Sequence, residues 1–230
     1  MIVPHLACHG PESNGPGPGG SAQPRSPVLP QGFLYRPAYL SPDLQAKLVK
    51  EVLALVEEAG WLRPVMPRTG QPYSVMMGNL GELGWISDRA GYRYAPVHPA
   101  TGQPWPAMPP ALLEIWRDLA NCAAPPECCL VNLYRGNARM GLHQDRDERE
   151  MRAPVLSLSL GDRALFRVGG LERRDPTRSF TLSSGDVVRM GGGARLMFHG
   201  IDRIIPASST LIPGGGRLNL TLRRVTPYPG

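Results

Sequence analysis

The 230-residue sequence has no apolar run near the roughly 18 residues that a membrane helix needs. Its first residues, MIVPHLACHG, lack both the basic start and the continuous apolar stretch of a secretory signal. A soluble, cytoplasmic protein is therefore expected, with no membrane partner. Cysteine is scarce: Cys8, Cys122, Cys128 and Cys129 form no CxxC pair, which argues against a zinc knuckle or a disulfide framework. Reduced, mostly buried thiols are the expectation. Lysine is nearly absent too, supplying only 2 of the 25 basic residues. Charge is unevenly placed, with a balance of −1 over residues 1–127 and +7 over 128–230. A basic half suits a polyanionic partner, yet an Arg-rich composition from a GC-rich genome would look the same. Both readings stay open on charge alone.

Residues 1–30 hold seven Pro and five Gly, with Glu12 and Arg25 as their only charges. Such a segment buries too little apolar surface to offset its ordering entropy, so residues 1–31 are expected to form a disordered tail. Ser41-Pro42-Asp43 then predicts a helix start, with Ser41 as N-cap and Asp43 at the positive end of the dipole. Leu44, Leu48, Val52 and Leu55 recur at helical spacing, and Gly60 is the stop. A second helix is predicted from about Pro110 to Ala123, with Leu112, Trp116 and Leu119 on its inner face. Loops and short strands are expected between the two. From Cys128 onward, short alternating runs appear at 128–134, 155–160, 164–169, 179–183, 186–190, 195–199 and 217–223. Strands so closely spaced predict an antiparallel sandwich or jelly roll, and helices before strands make the class α+β.

Only five histidines occur, and His143 and His199 alone lie in the strand-rich half. Asp145 follows His143 by two residues, so in extended chain both side chains point the same way and can grip one ion. His199, expected to end the strand Leu196-Met197-Phe198-His199, can be brought beside them by a sheet. Two His and one carboxylate make the facial triad of non-haem Fe(II) oxygenases. By itself the pattern also fits a surface turn and an unrelated histidine.

The run Arg217-Leu218-Asn219-Leu220-Thr221-Leu222-Arg223 alternates strictly. Its leucines should face the core, and its arginines, amide and hydroxyl the other side. That second face could simply be wet, or could cradle a dicarboxylate, because guanidinium forks match carboxylates. A dicarboxylate beside an open-sided iron suggests 2-oxoglutarate. Asn132 and Tyr134, also two residues apart, could add an amide and a phenol.

Taken in order, the segments resemble one family. They are Asn132-x-Tyr134, Leu142-His143-Gln144-Asp145-x-Asp147-Glu148, Ser157-x-Ser159-Leu160-Gly161, Gly169-Gly170-Leu171, Gly185-Asp186-Val187-Val188, Phe198-His199-Gly200 and Arg217-x-Asn219-Leu220-Thr221-x-Arg223. Leu83-Gly84-Trp85, Gly91-Tyr92-x-Tyr94 and Pro104-Trp105-Pro106-Ala107-Met108-Pro109 match upstream. Over about residues 33–225 the chain resembles the AlkB family, the alpha-ketoglutarate-dependent dioxygenases that repair alkylated nucleic acids.

The resemblance implies a double-stranded β-helix, that is a jelly-roll core, over residues 128–230. Residues 32–127 would supply N-terminal helices and a nucleotide-recognition lid within the same folded domain. It implies Fe(II) on His143, Asp145 and His199, with O2 as co-substrate and 2-oxoglutarate against Asn132, Tyr134, Arg217, Asn219 and Arg223. Substrate contacts carry over to Trp85, Tyr92, Arg93, Tyr94, Asp147 and Arg173. The implied activity is oxidative demethylation of 1-methyladenine- or 3-methylcytosine-type lesions by a monomer. Single- or double-stranded DNA would be the partner, with RNA a further candidate, and formaldehyde, succinate and carbon dioxide the products. Leu218, Met190 and Met140 depart from the family pattern, which puts pocket shape and lesion range in question. Two other readings remain. One is a 2-oxoglutarate oxygenase acting on a protein or small molecule; the other is a non-catalytic nucleic-acid-binding sandwich.

Overall fold

A computed structural model describes residues 31–229, so the expected tail lies outside the described residues apart from Gln31. In chain order the elements are β1 (Phe33–Arg36), α1 (Pro42–Ala59), β2 (Met76–Gly81), β3 (Gly84–Asp88), β4 (Gly91–Ala95) and α2 (Pro110–Leu119). There follow β5 (Cys128–Tyr134), β6 (Met140–His143), β7 (Val155–Gly161), β8 (Arg163–Val168), β9 (Arg178–Leu182), β10 (Val187–Met190), β11 (His199–Ile205) and β12 (Arg217–Arg223). No described helix is long and apolar enough to cross a membrane.

α1 forms where its caps predict it, and α2 starts at Pro110 as expected. Ser41 Oγ accepts the Leu44 N–H at 3.3 Å, and Gly60 leaves α1 at φ 98°. The buried stripe is Leu48, Val49, Val52 and Val56, so Val56 rather than Leu55 completes the inner face. α2 stops short of Ala123 because Asn121 takes φ 51°, a left-handed conformation that an Asn tolerates and a helix does not.

Six strands make one antiparallel sheet in the order β1-β10-β7-β12-β5-β2, and four make a second, β6-β11-β8-β9. These two sheets are the jelly-roll core of an α+β chain. β1 and β2, from the N-terminal stretch, form the two edges of the larger sheet, so both halves of the chain share it. β3 and β4 form a separate hairpin.

β12 lies between β7 and β5, and all seven of its residues are buried. Leu218, Leu220 and Leu222 join Leu156, Leu158, Leu160, Val131 and Leu133 in a core packed against α1 and α2. Each leucine so buried stabilises the fold by about 1.5–3 kcal/mol. Arg217, Asn219, Thr221 and Arg223 face the other way, into a cavity between the two sheets. The second face of this strand is polar but not wet. Adjacent Cys128 and Cys129 likewise divide between the two sides of β5, and with Cys122 they are free thiols. Burial pushes the Cys128 thiol up to about 12.

One expected strand, 195–199, does not form. A 3-10 turn occupies Gly192–Ala194, and His199 begins β11 instead of ending a strand. The run looked strand-like because Leu196, Met197 and Phe198 are apolar, but Arg195 within it is buried as a polar cross-link. β6 and the body of β11 were not expected, since Gly141 and Gly200 interrupt their alternation. Gly200 is needed there for close approach: a Cβ would sit 2.6 Å from the Met140 carbonyl oxygen, forcing β6 away.

Candidate active site

That approach puts His143 directly opposite His199 in the β6–β11 register, with ring centroids 4.5 Å apart. Asp145 lies just beyond β6. Its carboxylate oxygens stand 3.7 Å from His143 Nε2 and 3.8 Å from His199 Nε2. One ligand atom from each of the three lies within 4.8 Å of the others. The tautomers follow from the neighbours. His143 Nδ1 is 2.9 Å from the Gly141 carbonyl, and His199 Nδ1 is 3.0 Å from that of Met197. A carbonyl only accepts, so both Nδ1 atoms donate and both Nε2 lone pairs face Asp145. Burial, helped by His143, lowers His199 to about 4, which keeps it neutral at physiological pH. Burial alone would raise Asp145, but Arg223 and the two imidazoles outweigh it and hold the carboxyl well below the usual range. Asp145 Oδ2 is buried with no hydrogen-bond partner. Two bare imidazole nitrogens around an unpartnered carboxylate oxygen fit a divalent cation of the Fe(II) type.

The two arginines of β12 differ sharply. Arg223 Nη2 donates to Asp145 Oδ1 at 2.8 Å, and its Nε lies 3.2 Å from Glu148 Oε1, too far off-axis for a hydrogen bond. Arg217 has no carboxylate partner among the described residues. It is 1% exposed, its Nη2 donates to Ser159 Oγ at 2.9 Å, and its guanidinium lies 5.3 Å from the Tyr134 ring centroid. Arg217 Nε and Nη1 are buried and unpartnered, as is Asn132 Oδ1 in the same cavity. Burial pushes the Arg217 guanidinium below its ordinary value. A buried cation without a counter-charge costs several kcal/mol, so this donor set fits a carboxylate. The register explains the grouping: Arg217 pairs with Tyr134 and Asn219 with Asn132 on β5.

The hairpin divides its candidates between two faces. Trp85 is paired with Tyr94, and its ring stacks on Tyr92 at 5.6 Å and 17°. Trp85 Nε1 donates to Asp147 Oδ2 at 2.9 Å. Tyr94 turns inward, its hydroxyl 2.5 Å from Glu148 Oε1. Arg93 points to the opposite face and pairs with Asp88 at 2.7 Å, away from the aromatic strip. Arg173 donates to the Leu142 carbonyl at 3.0 Å and lies over Phe198, so it braces the chain beside His143 and His199 from outside.

Several residues at the site went unassigned in the sequence. Tyr73 joins the aromatic cluster, edge-on to Trp85 at 6.4 Å with its hydroxyl 3.4 Å from that of Tyr92. Phe166 lines the cavity beside His199, where it joins Met140 and Met190, whose departure from the family pattern already puts pocket shape in question. Glu148 stood inside a quoted motif without a role, and Arg195 lay in a misassigned strand. A buried charge pair leaves no periodic trace, so only the aromatic Tyr73 carried a usable signal.

Comparison with known proteins agrees with this geometry. Residues 32–223 match the model of the 2OG-Fe(II) oxygenase superfamily. The chain is 59% identical over 197 residues to the alpha-ketoglutarate-dependent dioxygenase AlkB homolog of Caulobacter vibrioides, covering 86% of this chain and 89% of that one. It is 40% identical over 182 residues to the alpha-ketoglutarate-dependent dioxygenase AlkB of Escherichia coli, covering 77% and 83%. The solved structure of OsALKBH1 superposes with a TM-score of 0.72 at 30% identity, over 86% of this chain and all of the other. The chain belongs to the 2OG-Fe(II) oxygenase superfamily and, within it, to the AlkB-type dioxygenases.

Proposed function

We propose that the protein is an oxidative demethylase of N-alkylated bases in nucleic acid, with His143, Asp145 and His199 holding Fe(II) and Arg217 holding 2-oxoglutarate. One observation carries the reading most. A buried Arg217 with no carboxylate partner among the described residues shares a cavity with a His-Asp-His cluster, and an aromatic hairpin is hydrogen-bonded to Asp147, two residues from Asp145. Fe(II), 2-oxoglutarate and O2 supply the oxidising chemistry that hydroxylates an N-methyl group, which then leaves as formaldehyde.

The chain's own groups bind and orient. The Nε2 atoms of His143 and His199 offer their lone pairs from one side, and Arg223 fixes the Asp145 carboxylate between them. Arg217, Asn132 and Tyr134 orient the dicarboxylate. Thr221 donates to Asn219 Oδ1 at 3.0 Å, which fixes that amide facing the cavity. A damaged base must leave its stack to reach such a site, and Trp85, Tyr92 and Tyr73 offer flat faces to receive it. Methylation at the pairing edge makes adenine or cytosine cationic, and the exposed Asp147 carboxylate supplies the matching charge. Tyr94, on the same face, reaches inward to Glu148, Arg93 pairs with Asp88 on the opposite face, and Arg173 donates to the Leu142 carbonyl, so any substrate contact they make is secondary to that of Trp85, Tyr92 and Asp147.

Succinate and formaldehyde release from a panel of methylated single- and double-stranded DNA and RNA tests the reading. Formaldehyde from none of them would overturn it in favour of another substrate class. Two variants sharpen the test. Asp147→Asn should impair demethylation of 1-methyladenine and 3-methylcytosine far more than of neutral 1-methylguanine or 3-methylthymine. Trp85→Ala should weaken both classes, by about 1–3 kcal/mol from lost stacking, so neutral lesions suffer too; cationic lesions lose somewhat more, because the Nε1 donor that holds Asp147 goes with the ring. Equal losses on charged and neutral bases in Asp147→Asn would remove Asp147 from recognition.

A further inference from the structure

Glu148 neither lines the cavity nor belongs to the His-Asp-His cluster, yet it is 4% exposed and in contact with three polar side chains. Its Oε2 accepts from Arg195 Nη2 at 3.0 Å, and its Oε1 lies 3.2 Å from Arg223 Nε. Both arginines then reach Asp145. Arg223 donates to its Oδ1 at 2.8 Å, while Arg195 Nη1 donates to its backbone carbonyl at 2.5 Å. Arg195 also donates to the Ala153 carbonyl at 2.9 Å, so it ties both ends of the 145–153 segment together. Two carboxylates and two guanidiniums balance in charge. The third contact comes from the hairpin: the Tyr94 hydroxyl donates to Glu148 Oε1 at 2.5 Å.

We infer that Glu148 is a positioning residue for the metal site. It holds Arg195 and Arg223 in the orientation that fixes the backbone and the carboxylate of Asp145, and Tyr94 ties the hairpin into this clamp. The physical reason is the cost of misplacing a buried charge. Without the Glu148 carboxylate, Arg195 and Arg223 share only Asp145, so Arg223 is drawn off the line that aims Asp145 Oδ2 at the histidines. Partners that orient a metal ligand in this way change metal affinity by about 10–100-fold when lost.

The inference rests on His143, Asp145 and His199 binding Fe(II), and its test separates the two. Anaerobic Fe(II) titration of the full chain with 2-oxoglutarate present, followed by charge-transfer absorption, reads affinity without turnover. If the wild type gives no saturable band, the Fe(II) reading itself fails. Given a wild-type band, Glu148→Gln should raise the Fe(II) Kd by about 10–100-fold. Tyr94→Phe, which removes one hydroxyl and keeps the ring, should raise it less, by about threefold, roughly half of one ordinary hydrogen bond. Asp186→Asn is the matched control. Asp186 is 3% exposed, its side chain accepts from Tyr35, Ala38 and Ser183, and it neither lines the cavity nor touches Glu148, Arg195 or Arg223, so its loss should lower the melting temperature and leave the Kd unchanged. A wild-type Kd in folded Glu148→Gln would overturn the inference. If that variant does not fold, a wild-type Kd in Tyr94→Phe would overturn it instead. An equal Kd rise in Asp186→Asn would reduce the effect to general destabilisation and overturn it as well.

Discussion

His143→Ala is expected to abolish succinate and formaldehyde production and to leave the fold intact. The His143 side chain is 39% exposed and makes one hydrogen bond, to the Gly141 carbonyl, so its removal opens no cavity in the core. Stability should stay within about 0.5 kcal/mol, as at other exposed sites. Fe(II) affinity should fall by more than the roughly 10–100-fold that the loss of an outer partner produces. Asp145→Ala will not be so clean. Its carboxylate is 7% exposed and pairs with Arg223 at 2.8 Å, so truncation leaves a buried guanidinium short of its partner. That costs about 3–5 kcal/mol of folding stability, separate from any effect on the metal. Asp145→Asn keeps the shape and an acceptor for Arg223, and it distinguishes the two effects. Circular dichroism and Fe(II) titration on the three variants provide the check. Full demethylase activity in His143→Ala would sink the metal assignment.

The second large effect separates the arginines of β12. Arg217→Met should raise the 2-oxoglutarate KM by about 100-fold or more, since removing one partner of a buried charge pair costs about 2–5 kcal/mol. In the absence of co-substrate the same variant should melt no lower than wild type, because it removes a buried charge that has no carboxylate partner among the described residues. Arg223→Met should do the reverse. It strips a cation from between Asp145 and Glu148, so melting temperature and metal affinity should drop first, with co-substrate dependence following. Thermal melts with and without 2-oxoglutarate, beside KM measurements, test both. Unchanged co-substrate dependence in Arg217→Met would remove β12 from the binding site.

Much of this was legible from periodicity. Strict alternation along Arg217–Arg223 told which side chains share a face, because successive residues of a strand point to opposite sides. The same rule placed His143 with Asp145 and Asn132 with Tyr134. Capping chemistry at Ser41 and Gly60 gave the bounds of α1, since a helix end must satisfy its own backbone groups. Ordered motifs then carried the family and its chemistry.

Periodicity says nothing about which long-range partner a buried charge finds. Arg217 and Arg223 occupy equivalent places in the pattern, yet Arg223 is paired with Asp145 while Arg217 has no carboxylate partner among the described residues; only the packing of the 145–148 segment beside β12 decides this. Tyr92, Arg93 and Tyr94 form one strip in sequence, but the hairpin sends Tyr92 to the aromatic cluster, Tyr94 to Glu148 and Arg93 to the opposite face. His199 sits at the end of an apolar run that propensity reads as a strand. Its place at the start of β11 is decided by the close approach of Gly200 to β6 and by the polar bonds that Arg195 makes in the preceding turn. Local pattern determined which groups can meet on a face, and tertiary packing decided which of them do, because burial makes the partner of each charge worth more than the propensity of the segment that carries it.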